Sequence, residues 1–327
     1  MKKTLLAIGI AFAIGASATA LAASNNNTAT VVQEGNDNIS FVEQSIDGVG
    51  GNQTATVNQV GPSTNTEADI FQSGGSNNVA TIDQFAESNS QTIITQAGAR
   101  NTASFIIGGG AGGILGTDGG GSGNANSVDQ IGNDHIAMVE QTNRLSAAPT
   151  PPEGVRIIQD GGNASQAYVT QNGAGLGMDI TQTGTRNVAN ASATAQAPAT
   201  TDPLVTAPVI ATGQTGTNSE ATLLQVGNNN QIDLGQFGNN DLASVTQNGS
   251  RNFAELLQDG NNNIATIDTL GNDNVASIIQ IGNANIGDIL QTGNLNVAAI
   301  VQEGTANTAS ITQTGNNNGS FINQGGL

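Results

Sequence analysis

The side chains able to act as nucleophiles, bases or metal ligands are few in this 327-residue chain. It has one histidine (His135), no cysteine, no tryptophan and one tyrosine, with 25 acidic residues against 7 basic ones. Without cysteine there is no thiol nucleophile, thiolate metal site or disulfide framework. One histidine cannot build a multi-histidine metal centre. A formal charge of −18 lacks the Lys/Arg footprint that phosphate binding needs, which excludes nucleic acid as a partner. Carboxylates remain, but Asp69, Asp83, Asp268 and Asp288 fall at outward or turn positions of the pattern described below. There they act as solubilising charge that opposes premature association. The turns reading GNDN at 35–38 and 271–274 offer oxygen ligands suited to Ca²⁺. They lack the G-G-x-G-x-D nonapeptide of calcium-binding β-rolls. His135 stands where other copies of the pattern have Asn and reads as a tolerated substitution. No catalytic residue, cofactor site or metal site is expected, and the chain is read as a non-enzyme.

The elements that would carry any site are set by an unusual composition. There are 44 glycines, 3% aromatic and 10% charged residues, against roughly 25% charged in an ordinary globular domain. Such a chain is either disordered or repetitive. Its first 22 residues stand apart: Met1-Lys2-Lys3, an apolar run from Leu5 to Ile14, then Ala20-Leu21-Ala22 as a cleavage site. This reads as a secretory signal peptide rather than a membrane anchor, because the apolar stretch is short and ends in small residues. The predicted mature chain, 23–327, has five arginines against 25 carboxylates, a charge of −20, and no apolar run long enough to span a membrane as a helix.

Repetition decides between the two alternatives. Units of the form N-x-A-x-I-x-Q-x-G-x-x recur, as in NVASIIQIGNA (274–284), NVAAIVQEGTA (296–306) and NTASITQTGNN (307–317). Their glutamine returns every 11 residues at Gln214, Gln225, Gln236, Gln247, Gln258, then Thr269, Gln280, Gln291, Gln302, Gln313 and Gln324. Upstream, over 27–207, the spacing is irregular; with Ile107 and Ala193 as degenerate copies the reading counts 24 units, 21 of which keep the glutamine. Within a unit Asn, Ala, the branched aliphatic and Gln fall at alternate positions, the period of a strand with one face turned inward. The G-x-x-N segment supplies residues that tolerate positive φ, so the chain reverses there.

The predicted fold is therefore all-β: a β-solenoid of two stacked parallel sheets, with about 24 strand–turn units and two units per coil. No coil holds enough apolar surface to offset its own ordering cost, so stability must come from stacking. Inward Gln and Asn, costly if unpaired, can donate to one neighbour and accept from the next once copies stack; the alternative is that Gln is a spacer at the solvent edge. The predicted core ladder comprises Gln214, Gln225, Gln236, Gln247, Gln258, Gln280, Gln291, Gln302, Gln313 and Gln324 with Asn274, Asn285, Asn296 and Asn307. Insertions at Gly108–Gly123, Asn143–Gly154 and Ser192–Pro208 read as loops from coil corners, although the last is also a candidate break in the stack. Outward Phe253, Leu257, Val275, Ile279, Val297 and Val301 form a stripe on one face, read either as a lateral contact or as ordinary surface variation.

The repeat N-x-A-x-I-x-Q-x-G-x-x-N resembles the curlin repeat of curli fibre subunits, over most of 27–327 and most densely over 208–326. The resemblance implies a secreted structural subunit of an extracellular functional amyloid in biofilms and adhesion. It also implies export through an outer-membrane pore with a periplasmic chaperone, and self-assembly with a related subunit or nucleator. Only Ala23–Asn26 separate the leader from the first unit, unlike major subunits with a Gly-rich export segment, and the plain 11-residue spacing is closer to nucleator-type subunits. On this reading the uncapped first and last units add further copies by templated strand pairing. Two rivals stay open: a monomeric β-solenoid adhesin or ice-binding surface protein, and a β-helix enzyme. The first predicts a flat regular Thr array, the second a clustered carboxylate or basic groove; the sequence has neither.

Overall fold

The computed structural model describes residues 17–22, 27–34, 37–45, 51–60, 66–85, 91–108, 125–142, 154–174, 176–191 and 213–325. Most of the expected leader and nearly all of the three insertions lie outside the described residues.

Among the described residues twenty-five strands follow one another. The first thirteen are β1 (Ser17–Ala22), β2 (Thr28–Gln33), β3 (Ile39–Ser45), β4 (Thr54–Val60), β5 (Glu67–Ser73), β6 (Val79–Phe85), β7 (Gln91–Ala97), β8 (Thr102–Ile107), β9 (Ala125–Asn133), β10 (Ile136–Thr142), β11 (Gly154–Asn163), β12 (Gln166–Ala174) and β13 (Gly177–Thr183). Next come β14 (Val188–Ala191), β15 (Gly213–Thr217), β16 (Glu220–Asn228), β17 (Gln231–Asn239), β18 (Leu242–Ser250), β19 (Phe253–Asn261) and β20 (Ile264–Asn272). The series ends with β21 (Val275–Asn283), β22 (Ile286–Thr292), β23 (Val297–Thr305), β24 (Thr308–Thr314) and β25 (Gly319–Gln324).

Apart from β14 and β15, which lie in the same sheet, successive strands alternate between two parallel sheets, the first of 12 strands running β1, β3, β5 to β24 and the second of 13 running β2, β4, β6 to β25. Two units therefore make one coil, and this is the two-sheet β-solenoid expected from the period. Register is fixed by sequence position within the unit: Ala276 pairs with Ala298, Ile278 with Ile300 and Gln280 with Gln302. Period-2 burial follows, so Ala276, Ile278 and Gln280 point inward and are 0% exposed while Val275, Ser277 and Ile279 face out. The core is one continuous column between the sheets, of small and branched aliphatic residues with Phe105 and Met178 among them. At about 4.8 Å per strand, 12 strands give a rod about 55 Å long. No described strand contains proline, as expected where each backbone N–H is needed by a ladder.

Two details differ from the reading of the sequence. The insertion beginning at Ser192 interrupts a strand rather than a corner. β14 pairs with the first halves of β12 and β17, and β15 with their second halves, so Gln171, Gln214 and Gln236 stand in line. Both pieces occupy one rung, and its glutamine is Gln214; Ala193, counted as a separate copy, lies outside the described residues. The stack continues across this point because the chain re-enters in the register it left. Secondly, Ser17–Ala22, the end of the expected leader, pairs with β3 and sets Ala22 beside Gln44.

Candidate functional site

Each inward glutamine joins three strands. In the second sheet, Gln214 Nε2 donates to Gln236 Oε1 (2.6 Å), Gln236 to Gln258 (2.9 Å), Gln258 to Gln280 (3.0 Å), Gln280 to Gln302 (2.9 Å) and Gln302 to Gln324 (2.8 Å). The second hydrogen on each nitrogen crosses to the facing sheet: Gln258 Nε2 donates to Leu242 O and Gln280 Nε2 to Ile264 O, both at 3.0 Å. The first sheet carries the same arrangement through Gln182, Gln225 and Gln247, and again from Gln291 to Gln313. All bonds point the same way, nitrogen of the earlier coil to oxygen of the later one. A buried amide is thus satisfied by stacking alone, and the ladder ties the two sheets together.

Substitutions leave visible gaps. Thr269 occupies a glutamine slot between Gln247 and Gln291. Its hydroxyl and Gln291 Oε1 are both buried without a partner, because a threonine is too short to accept from below and donate above. Ile107 fills another slot in β8 and is fully buried.

The asparagines work differently from the amide-to-amide stacking expected of them. Asn252 Oδ1 accepts from Asn274 N (3.0 Å) and Asn274 Oδ1 from Asn296 N (3.0 Å). Asn274 Nδ2 donates to Gly293 O at 2.8 Å, Asn285 Nδ2 to Gly304 O at 3.1 Å and Asn296 Nδ2 to Gly315 O at 2.9 Å. One methylene shorter than glutamine, the side chain reaches only the corner backbone of the next coil, which it cross-links. Asn307, near the end of the described chain, bonds instead within its own turn, to Glu303 O.

These corners explain the G-x-x-N spacing. The glycine takes φ of +140° at Gly260, and the residue two further on is left-handed, with φ of 57° at Asn262. A β-carbon on Gly260 would lie 1.8 Å from Gly282 O, so stacked corners leave no room for any other residue. Where asparagine follows the corner glycine it builds a further, outer ladder that the reading of the sequence missed. Asn239 donates to Asn261 (2.8 Å), Asn261 to Asn283 (2.9 Å), and Asn272 and Asn294 are linked in the same way at the opposite corner. Its signal was present, as the repeated Asn directly after Gly.

The outer faces carry apolar columns on both sheets. Phe253, Val275 and Val297 align, as do Leu257, Ile279 and Val301. Only Val297 is more than half exposed, at 51%; the other five are half-buried among their own neighbours. The opposite sheet has its own aligned column, Leu242, Ile264 and Ile286, all exposed.

Charge is sparse, and three of the arginines are paired at the surface. Arg100 with Asp134 (2.5 Å), Arg156 with Asp179 (3.1 Å) and Arg251 with Asp273 (2.6 Å) are exposed ion pairs, each bridging adjacent coils. Exposed pairs of this kind contribute little to stability, because solvent screens them. Burial and the neighbouring Glu67 push the Asp69 carboxyl up to about 6. His135 is buried in an Asn slot; its Nδ1 accepts from Ser165 N (3.3 Å) and burial lowers its pKa. Among the described residues no three acidic or histidine side chains converge on a metal-sized site, and no helix is long and apolar enough to cross a membrane.

Residues 216–249, 238–268, 249–282, 282–315 and 296–326 match the model of the curlin associated repeat. No curated protein matches the chain. Curlin repeats on a two-sheet β-solenoid fit a curli-type structural subunit.

Proposed function

We propose that this curlin-repeat protein, whose repeats match over 216–326, is a secreted subunit that polymerises by templated strand addition into an extracellular curli-like fibre. The observation that carries the reading is the single direction of the glutamine ladder. Each glutamine rung offers an amide N–H to the next coil and an amide oxygen to the previous one, so an incoming copy meets the same bonds that hold the solenoid. Parallel strand edges supply a row of unpaired backbone N–H and C=O groups beside them. The mechanism is addition of strands to a template, with no bond made or broken covalently.

On this reading residues 1–22 are removed during export and 23–327 form one assembly unit, irregular over 27–207 and regular over 208–327. Its partners are further copies of itself and a related subunit or nucleator. By likeness to curli subunits, export uses an outer-membrane pore and a periplasmic chaperone. The destination is the cell surface, in biofilm matrix and adhesion. The stripe of Phe253, Leu257, Val275, Ile279, Val297 and Val301 serves lateral contact between protofilaments.

Purified mature protein incubated at neutral pH tests the proposal. Assembly with a lag that preformed fibres abolish is expected; protein that stays monomeric at high concentration, with or without seeds, contradicts it and favours a solenoid acting as a monomer.

A further inference from the structure

One rung of the asparagine ladder is an acid. Asp241 follows Ser219 and precedes Asn263 in the corner column, and Ser219 Oγ accepts from Asp241 N at 3.2 Å. Asp241 is 1% exposed. Its Oδ1 accepts from Asn263 N at 2.9 Å, the same role that Oδ1 of Asn230 and Asn252 plays towards the next rung. Its Oδ2 is buried and has no partner.

Where that oxygen sits identifies what is missing. In the equivalent rungs the side-chain nitrogen donates to a corner glycine 19 residues later: Asn230 to Gly249 O (3.0 Å), Asn252 to Gly271 O (2.8 Å) and Asn263 to Gly282 O (2.9 Å). The same offset from Asp241 leads to Gly260. A β-carbon on Gly249 would lie 3.3 Å from Asn252 Nδ2, and one on Gly238 would lie 3.1 Å from Asp241 Oδ2. Oδ2 therefore occupies the donor's place, facing the Gly260 carbonyl. Two acceptors face each other across a contact that Asn230, Asn252 and Asn263 fill with an N–H. The charged groups around it do not relieve this: Asp259 repels, and Glu220, next to Ser219 on β16, is also acidic.

We propose that Asp241 is a proton-operated rung: a proton taken from solvent onto Oδ2 is donated to Gly260 O, completing the ladder in acid and leaving it broken near neutrality. Desolvation and Asp259 raise the carboxyl to about 6, against the opposing pull of Asn263. The sign follows from linkage. A folded-state pKa above the unfolded 3.8 means that the folded form binds the extra proton, so stability is greatest in acid and falls as pH rises through about 6. Across that interval the wild-type folding equilibrium loses on the order of a hundredfold relative to a variant that needs no proton. His135, the other titratable residue in an asparagine slot, acts in the opposite sense, because protonating Nδ1 would cost the bond from Ser165 N. This makes a difference between variants the informative quantity.

The test compares full-length mature wild type with Asp241→Asn, whose amide supplies the missing donor. Denaturant midpoints are measured from pH 4 to 7.5 at constant ionic strength with a chelator present. The variant is expected to match wild type near pH 4 and exceed it increasingly towards pH 7. In parallel, the wild-type-minus-variant infrared spectrum is expected to hold a protonated-carboxyl band at pH 5 that vanishes by pH 7.5. A stability difference independent of pH, a less stable variant at pH 7, or no such band overturns the inference. Neither readout requires fibre growth, so a failure here is separate from a failure of the proposed assembly.

Discussion

Gln280 accepts from Gln258, donates to Gln302 and donates to Ile264 O on the facing sheet, at 3.0, 2.9 and 3.0 Å. A group with that many bonds is cheap to bury, and expensive to leave half-paired. Thr269 shows the second condition naturally. Replacing Thr269 with Gln is expected to rejoin Gln247 to Gln291 and stabilise the solenoid by about 1–3 kcal/mol; equilibrium denaturation measures it, and a destabilised variant would mean that the slot has closed around threonine. The inward direction of Gln was legible in the sequence because it shares parity with Ala276 and Ile278. The mode of bonding of Asn274 was not. Its acceptor is Gly293 O, a carbonyl placed by the turn of the next coil, and nothing in a local pattern fixes that position. The same reason hid Asp241, which reads as an ordinary polar substitution until its empty oxygen is seen opposite a carbonyl.

At the scale of the element, strand and corner are set by different physics. Strands form wherever alternation supplies Ala and a branched aliphatic inward, which is why β16 to β25 follow the sequence pattern closely. Corners are set by close approach. Gly260→Ala places a methyl 1.8 Å from Gly282 O in a left-handed region; a loss of roughly 3 kcal/mol or more is expected, together with increased proteolysis at that corner. Wild-type resistance in the variant would contradict the stacking of the corners. The split rung was the least legible element: β14 and β15 are short, and the sequence offers Ala193 as an apparent copy, while the register of Gln214 is decided by strands on either side. Outer columns raise a further prediction. Ile279→Asp with Val301→Asp is expected to reduce lateral bundling seen by electron microscopy without changing the elongation rate; unchanged bundles would assign contact elsewhere, with Leu242, Ile264 and Ile286 the next surface to charge.

The whole molecule is a rod whose stability is a sum over interfaces between like coils. Removing one core aliphatic tests that sum. Leu256→Ala, fully buried in β19, is expected to cost about 2–5 kcal/mol and to loosen hydrogen-exchange protection most in β17, β19 and β21, its partners in the sheet. A loss spread evenly along the rod would argue for a single cooperative unit instead. The scarcity of aromatic and charged residues that first set this chain apart follows from the same architecture: a core two sheets thick is filled mainly by small and branched aliphatic side chains, with Phe105 the one phenyl ring buried there among the described residues, and its polar interior is held by amides. Aligned fibres of the mature protein give the most direct test of the central claim, by X-ray diffraction. Continuation of the solenoid from copy to copy predicts a meridional reflection at about 4.8 Å, the strand spacing along the rod. Fibres with that reflection on the equator, or soluble rods that never join end to end, would contradict it.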